Sequence, residues 1–92
     1  MSSLALDIGG ANLKAADGLG WARSVPFALW REPDRLAAAL GELMASAPAS
    51  AWLAVTMTGE LCDSFRTKAE GVRHILAAVD EVAAGRGVGV YV

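Results

Sequence analysis

Five residues able to handle a phosphate lie close together near the start of the chain: Asp7, Gly9, Gly10, Asn12 and Lys14, in the segment LALDIGGANLKAAD at residues 4–17. A carboxylate can hold a hydrated Mg²⁺. Glycines reach φ > 0 and leave no Cβ between backbone N–H groups and an incoming anion. Asn12 adds a short amide and Lys14 a flexible positive charge. Asp7 also interrupts an apolar run of Leu4, Ala5, Leu6 and Ile8, where a strand is expected to bury hydrocarbon. An ionised group buried there is costly unless it meets a hydrogen bond, a ligand or a metal. A hairpin closed by a Gly-Gly turn has the same spacing without any ligand.

A second constellation is Thr56, Thr58, Gly59 and Glu60, just after the apolar run AWLAVT at residues 51–56. A connection that leaves a parallel strand and enters a helix is where α/β sheets place ligands. The threonines offer hydroxyls, Gly59 permits close backbone approach, and Glu60 can act on a metal, a water or a substrate amine. Helix capping by Thr and Glu accounts for the same residues structurally. Arg66 and Lys68 set positive charge in the next helix's first turn, against its dipole. Either an anionic ligand or pairing with Asp63 or Glu70 explains that. His74, the lone histidine, has no second His or Cys at metal spacing and reads as a surface residue. Cys62 has no catalytic partner and reads as a small, partly buried side chain.

The elements that must position these groups follow from periodicity. The first strand covers residues 4–8 and the second returns over residues 11–16. Asp17-Gly18-Leu19-Gly20 is a turn. Trp21, Val25, Phe27 and Leu29 alternate, which predicts a third strand over residues 21–30, with Pro26 placing it at a sheet edge. Pro33 and Asp34 open a helix carried by Leu36, Leu40, Leu43, Met44 and Ala47, which ends near Ser46 before Pro48. Met44 on that stripe is core. Residues 51–56 read as a strand covered on both faces. A second helix begins near Asp63, capped by Asp63 or Ser64. Its stripe is Phe65, Ala69, Val72, Leu76, Val79 and Ala83, with Gly85 at its C′ position and Gly71 a mild cost inside it. Residues 87–92 form the fifth strand.

The order β-β-β-α-β-α-β, joined by right-handed crossovers, predicts an α/β domain with a mixed five-stranded sheet in order 3-2-1-4-5, an arrangement that resembles the ribonuclease H-like fold. The two helices then share one face, so the other face is left to self-association or to another lobe. The Gly9–Asn12 turn and the loop at residues 58–60 should emerge side by side.

Composition narrows the class. Ninety-two residues make one small domain that buries roughly 60–65% of its unfolded surface. Apolar residues are 54% of the chain and mean hydropathy is +0.39, rich for this size. A net charge of −2, a pI near 5.2 and no Lys/Arg cluster argue against nucleic acid as a partner. One cysteine permits no internal disulfide and fits a reducing cytoplasm. No charged leader precedes the first apolar run, which breaks at Asp7, so neither a signal peptide nor a membrane span is expected.

With both loops in view, LALDIGGANLKAADG resembles the first phosphate loop of the sugar-kinase/Hsp70/actin superfamily. VTMTGELCDSFRTKAEGVRHIL resembles one branch of it, the hydantoinase/oxoprolinase-like family linked to tetrahydromethanopterin-dependent C1 transfer. That branch includes a methanofuran-biosynthesis enzyme joining an aminomethylfuran diphosphate to γ-glutamyltyramine. Ser64 stands where the branch has Cys, against a thiol role there. The resemblance implies a Mg²⁺-dependent transferase acting on a phosphorylated small molecule. Asp7 would hold the metal's hydration shell; Gly9, Gly10 and Asn12 would contact a terminal or leaving phosphate, and Lys14 would neutralise it. Thr58, Gly59 and Glu60 would face the same cleft, with Asp7 and Glu60 the catalytic pair and ATP or a diphosphate the ligand. It also implies that residues 1–92 are the N-terminal lobe of a longer two-lobe protein, inactive alone. A lobe of an ATP-dependent kinase or hydantoinase-type enzyme, and a non-catalytic binding module of the same fold, share the first motif.

Overall fold

The computed structural model describes residues 3–58 and 65–92. Five strands, β1 (Ser3–Ile8), β2 (Asn12–Ala16), β3 (Ala22–Pro26), β4 (Trp52–Met57) and β5 (Gly89–Tyr91), form one sheet in the order β3-β2-β1-β4-β5. The first three strands make an antiparallel meander, and β4 and β5 run parallel to β1. Helix α1 (Leu36–Ala45), preceded by a 3-10 turn at Pro33–Arg35, links β3 to β4; helix α2 (Lys68–Arg86) lies between β4 and β5. This is the expected ribonuclease H-like arrangement, with Pro26 closing the edge strand.

Strict alternation in β1 explains its position. Leu4, Leu6 and Ile8 are buried, and Leu13, Ala15, Leu53 and Val55 extend that face across the sheet. Leu36, Leu40, Leu43 and Met44 of α1, with Ile75, Val79 and Ala83 of α2, close over it in one core. Both helices therefore cover the same face. Strand β4 is accordingly buried on one side only, because no described element lies over Ala54 and Thr56.

Several boundaries differ from those read in the sequence. Strand β3 ends at Pro26 because the chain then bends to lay residues 27–29 along the first turn: Phe27 N–H donates to Ala11 O at 2.9 Å and Leu29 N–H to Gly10 O at 3.0 Å. Helix α2 starts at Lys68. Its cap is Thr67, whose Oγ1 accepts from Glu70 N–H at 3.0 Å, half of a capping box. The buried stripe of α2 includes Gly71 and Ile75 where Val72 and Leu76 were expected, a one-residue rotation of the helix. The helix ends at Gly87, φ 69°, with Val88 N–H donating to Ala83 O, so Gly85 stays helical. Strand β5 is limited to three residues. His74 is half-buried rather than superficial: its Nε2 lies 2.6 Å from Pro33 O and its ring 5.3 Å from that of Phe65. Since a carbonyl only accepts, that nitrogen carries the proton. Among the described residues, no helix is long and apolar enough to cross a membrane.

Candidate functional site

Asp7 sits on the uncovered face, not in the core. Its neighbours Leu6 and Ile8 point to the helices, so alternation turns Asp7 the other way into solvent. The expected cost of a buried charge therefore does not arise. Lys14 is its direct cross-strand partner on β2 and Thr56 its partner on β4, and both are exposed on the same face. Thr56 Oγ1 lies 3.4 Å from Asp7 Oδ1 and 3.5 Å from Leu6 O, long contacts that lean the hydroxyl toward the carboxylate.

The Gly9–Asn12 turn is held on its carbonyl side. Gly9 N–H donates to Asn12 O at 3.0 Å, closing the hairpin. The carbonyls of Gly10 and Ala11 are taken by Leu29 and Phe27. A trans peptide points its N–H opposite its C=O, so the N–H groups of Ala11 and Asn12 face away from residues 27–29. Positive φ occurs at Gly18, Gly20 and Gly87 among the described residues, not in this turn. The constraint at Gly9 is instead a tight approach to Asn12 O, with Thr58 at ordinary contact distance. A Cβ there would lie 3.3 Å from Asn12 O and 3.6 Å from Thr58 Oγ1.

That second distance brings the two sequence motifs together. Ile8 and Met57 are register partners at the ends of parallel strands, and Thr58 N–H donates to Ile8 O at 3.0 Å. Thr58 thus stands beside Gly9. Gly59 and Glu60, with Cys62, Asp63 and Ser64, lie outside the described residues. Among the described residues, no three His, Cys, Asp or Glu side chains converge on a metal position. Asp7 alone, with water and phosphate oxygens, still suits Mg²⁺, which keeps most of its hydration and takes one or two carboxylates.

Residues 27–29, read in the sequence as the end of the third strand, instead orient the turn. Pro26 was the available signal, since it cannot donate to continue a ladder. The other polar turn, Asp17-Gly18-Leu19-Gly20, proves structural: Asp17 Oδ1 accepts from Leu19 N–H at 2.8 Å and Trp21 N–H at 3.0 Å.

Sheet order and loop placement together define a ribonuclease H-like α/β domain whose polar residues gather at the C-terminal ends of β1 and β4. No family model matches the chain. Over 81 residues it is 34% identical to (4-{4-[2-(gamma-L-glutamylamino)ethyl]phenoxymethyl}furan-2-yl)methanamine synthase of Methanocaldococcus jannaschii, a match taking in 85% of this chain and 24% of that protein. The chain thus spans about a quarter of that relative's length. It is also similar to the Thermus thermophilus RuvC structure, at 19% identity and TM-score 0.46, over 99% of this chain and 62% of the other.

Proposed function

We propose that this domain is the phosphate-binding lobe of a transferase of the methanofuran-synthase kind, in the hydantoinase/oxoprolinase-like branch. The observation that carries the reading is the meeting of Gly9 and Thr58 at the ends of adjacent parallel strands, with Asp7 and Lys14 on the face beside them. The similarity to the Methanocaldococcus jannaschii synthase, whose name describes a phenoxymethyl-furan ether, supports a substrate of that class. Such an ether forms when a phenol oxygen attacks a furylmethyl carbon and diphosphate leaves with the bonding pair. Backbone N–H groups of the Gly9–Asn12 turn would receive the departing phosphate, and Lys14 would offset its charge. Glu60 is the candidate to take the phenol proton. Mg²⁺ on Asp7 would supply charge neutralisation to the diphosphate. Binding energy here goes mainly into positioning and charge, so a lobe holding half the contacts binds weakly and turns nothing over alone.

Phosphorus NMR of diphosphate titrated with the chain tests this. Broadening that requires Mg²⁺ and is lost in Asp7→Asn is the expected result, with a dissociation constant of roughly 1 mM or weaker, about −4 kcal/mol. Equal broadening by the wild-type chain and Asp7→Asn would overturn the reading.

A further inference from the structure

The uncovered sheet face has a residue pattern that repeats when read backwards. One cross-strand row runs Ala22, Ala16, Ala5, Ala54 across β3, β2, β1 and β4. The next row, one residue pair along, runs Ser24, Lys14, Asp7, Thr56 in the same strand order. Consider a two-fold axis parallel to the strands and midway between β1 and β2. It sets every alanine of the first row over an alanine of a second copy. In the other row it sets Lys14 over the second copy's Asp7, and Ser24 over its Thr56. An isologous interface demands this kind of self-complementarity. Asp7 and Lys14 face each other across a strand pair but form no ion pair among the described residues, and the Thr56 hydroxyl meets Asp7 Oδ1 only at a long 3.4 Å, so both charges can pair with a second chain. The alanines leave a shallow trough of about 640 Å³. Faces of small residues let two sheets approach to about the 10 Å usual for face-to-face packing.

We infer that this face docks on a second copy of the chain, as a two-fold dimer with sheet packed on sheet and reciprocal Asp7–Lys14 pairs. The strands of the two copies run aligned, β3 of each lying over β4 of the other. Tyr91, 51% exposed and next in the alanine row after Ala54, flanks the partner's edge strand. The dimer and the proposed ligand draw on the same two side chains, so reciprocal Asp7–Lys14 pairing closes them to a phosphate, and dimerisation and ligand binding compete.

Sedimentation equilibrium of the whole chain from micromolar to millimolar concentration tests it, with the variants Asp7→Lys, Lys14→Asp and the two combined. The wild type should reach twice the 9.5 kDa chain mass. Each single reversal opposes like charges and should raise the dimer dissociation constant at least about tenfold. The combined variant restores opposite charges and should dimerise as the wild type does, even though it has lost the carboxylate at position 7 and with it any Asp7-dependent ligand binding. A wild type that stays monomeric throughout overturns the inference, leaving the face to some other segment. Single reversals that dimerise normally, or a combined variant that does not recover, also overturn it. Should a variant fail to fold, mixing Ala22→Cys chains with Ala54→Cys chains, both in a Cys62→Ser background, supplies the geometric test. A short bis-maleimide should crosslink the mixture and neither chain alone; no such preference overturns the arrangement.

Discussion

Asp7 stands out in the sequence for a reason that the fold removes. Its sequence position inside an apolar strand marked it as an expensive buried charge, whereas the fold turns it onto the open face. The stability consequence follows from exposure: Asp7→Asn should change unfolding free energy by less than about 0.5 kcal/mol in urea titration. A loss of several kcal/mol would mark the carboxylate as a structural hydrogen-bonding group. Gly9 makes the opposite case, its position being legible but its reason not. Glycine pairs suggest positive φ, whereas the constraint in the fold is the 3.3 Å that a Cβ would leave to Asn12 O across the closed turn. Gly9→Ala should crowd the Gly9–Asn12 closing bond and cost about 1 kcal/mol, seen as a lower urea midpoint.

At the scale of elements, existence and order were legible, because strand alternation and the 3.6-residue period are local signals. Boundaries were less so. The sequence pattern pointed to Asp63 or Ser64 as the cap of α2, whereas Thr67 takes that place, its Oγ1 accepting from Glu70 N–H. Thr67→Ala should accordingly cost about 0.5–2 kcal/mol, read from thermal unfolding. The phase of α2 turned on a glycine: Gly71 faces the core, where a hydrophobicity pattern looks for a larger side chain. Strand β5 carries a second such constraint. A Cβ on Gly89 would overlap Cζ3 and Cε3 of Trp52, whose ring lies over the strand. Gly89→Ala should displace that indole, cost about 1–3 kcal/mol and change tryptophan fluorescence. An unchanged spectrum would show that the ring does not rest there.

For the molecule as a whole, one-sided burial governs everything that follows. Both crossovers put their helices on one face, so seven core positions of β1, β2 and β4 are satisfied while Asp7, Lys14 and Thr56 stay open. Because β4 runs parallel to β1, the turn after β1 and Thr58 after β4 lie at one end of the sheet, which is why residues far apart in the sequence become neighbours. Amide chemical-shift mapping of the chain against magnesium diphosphate tests that account most directly. The account predicts the largest shifts at residues 9–12 and Thr58, saturating only at roughly 1 mM or above. Shifts centred on the α1 and α2 surfaces, with residues 9–12 unmoved, would contradict it.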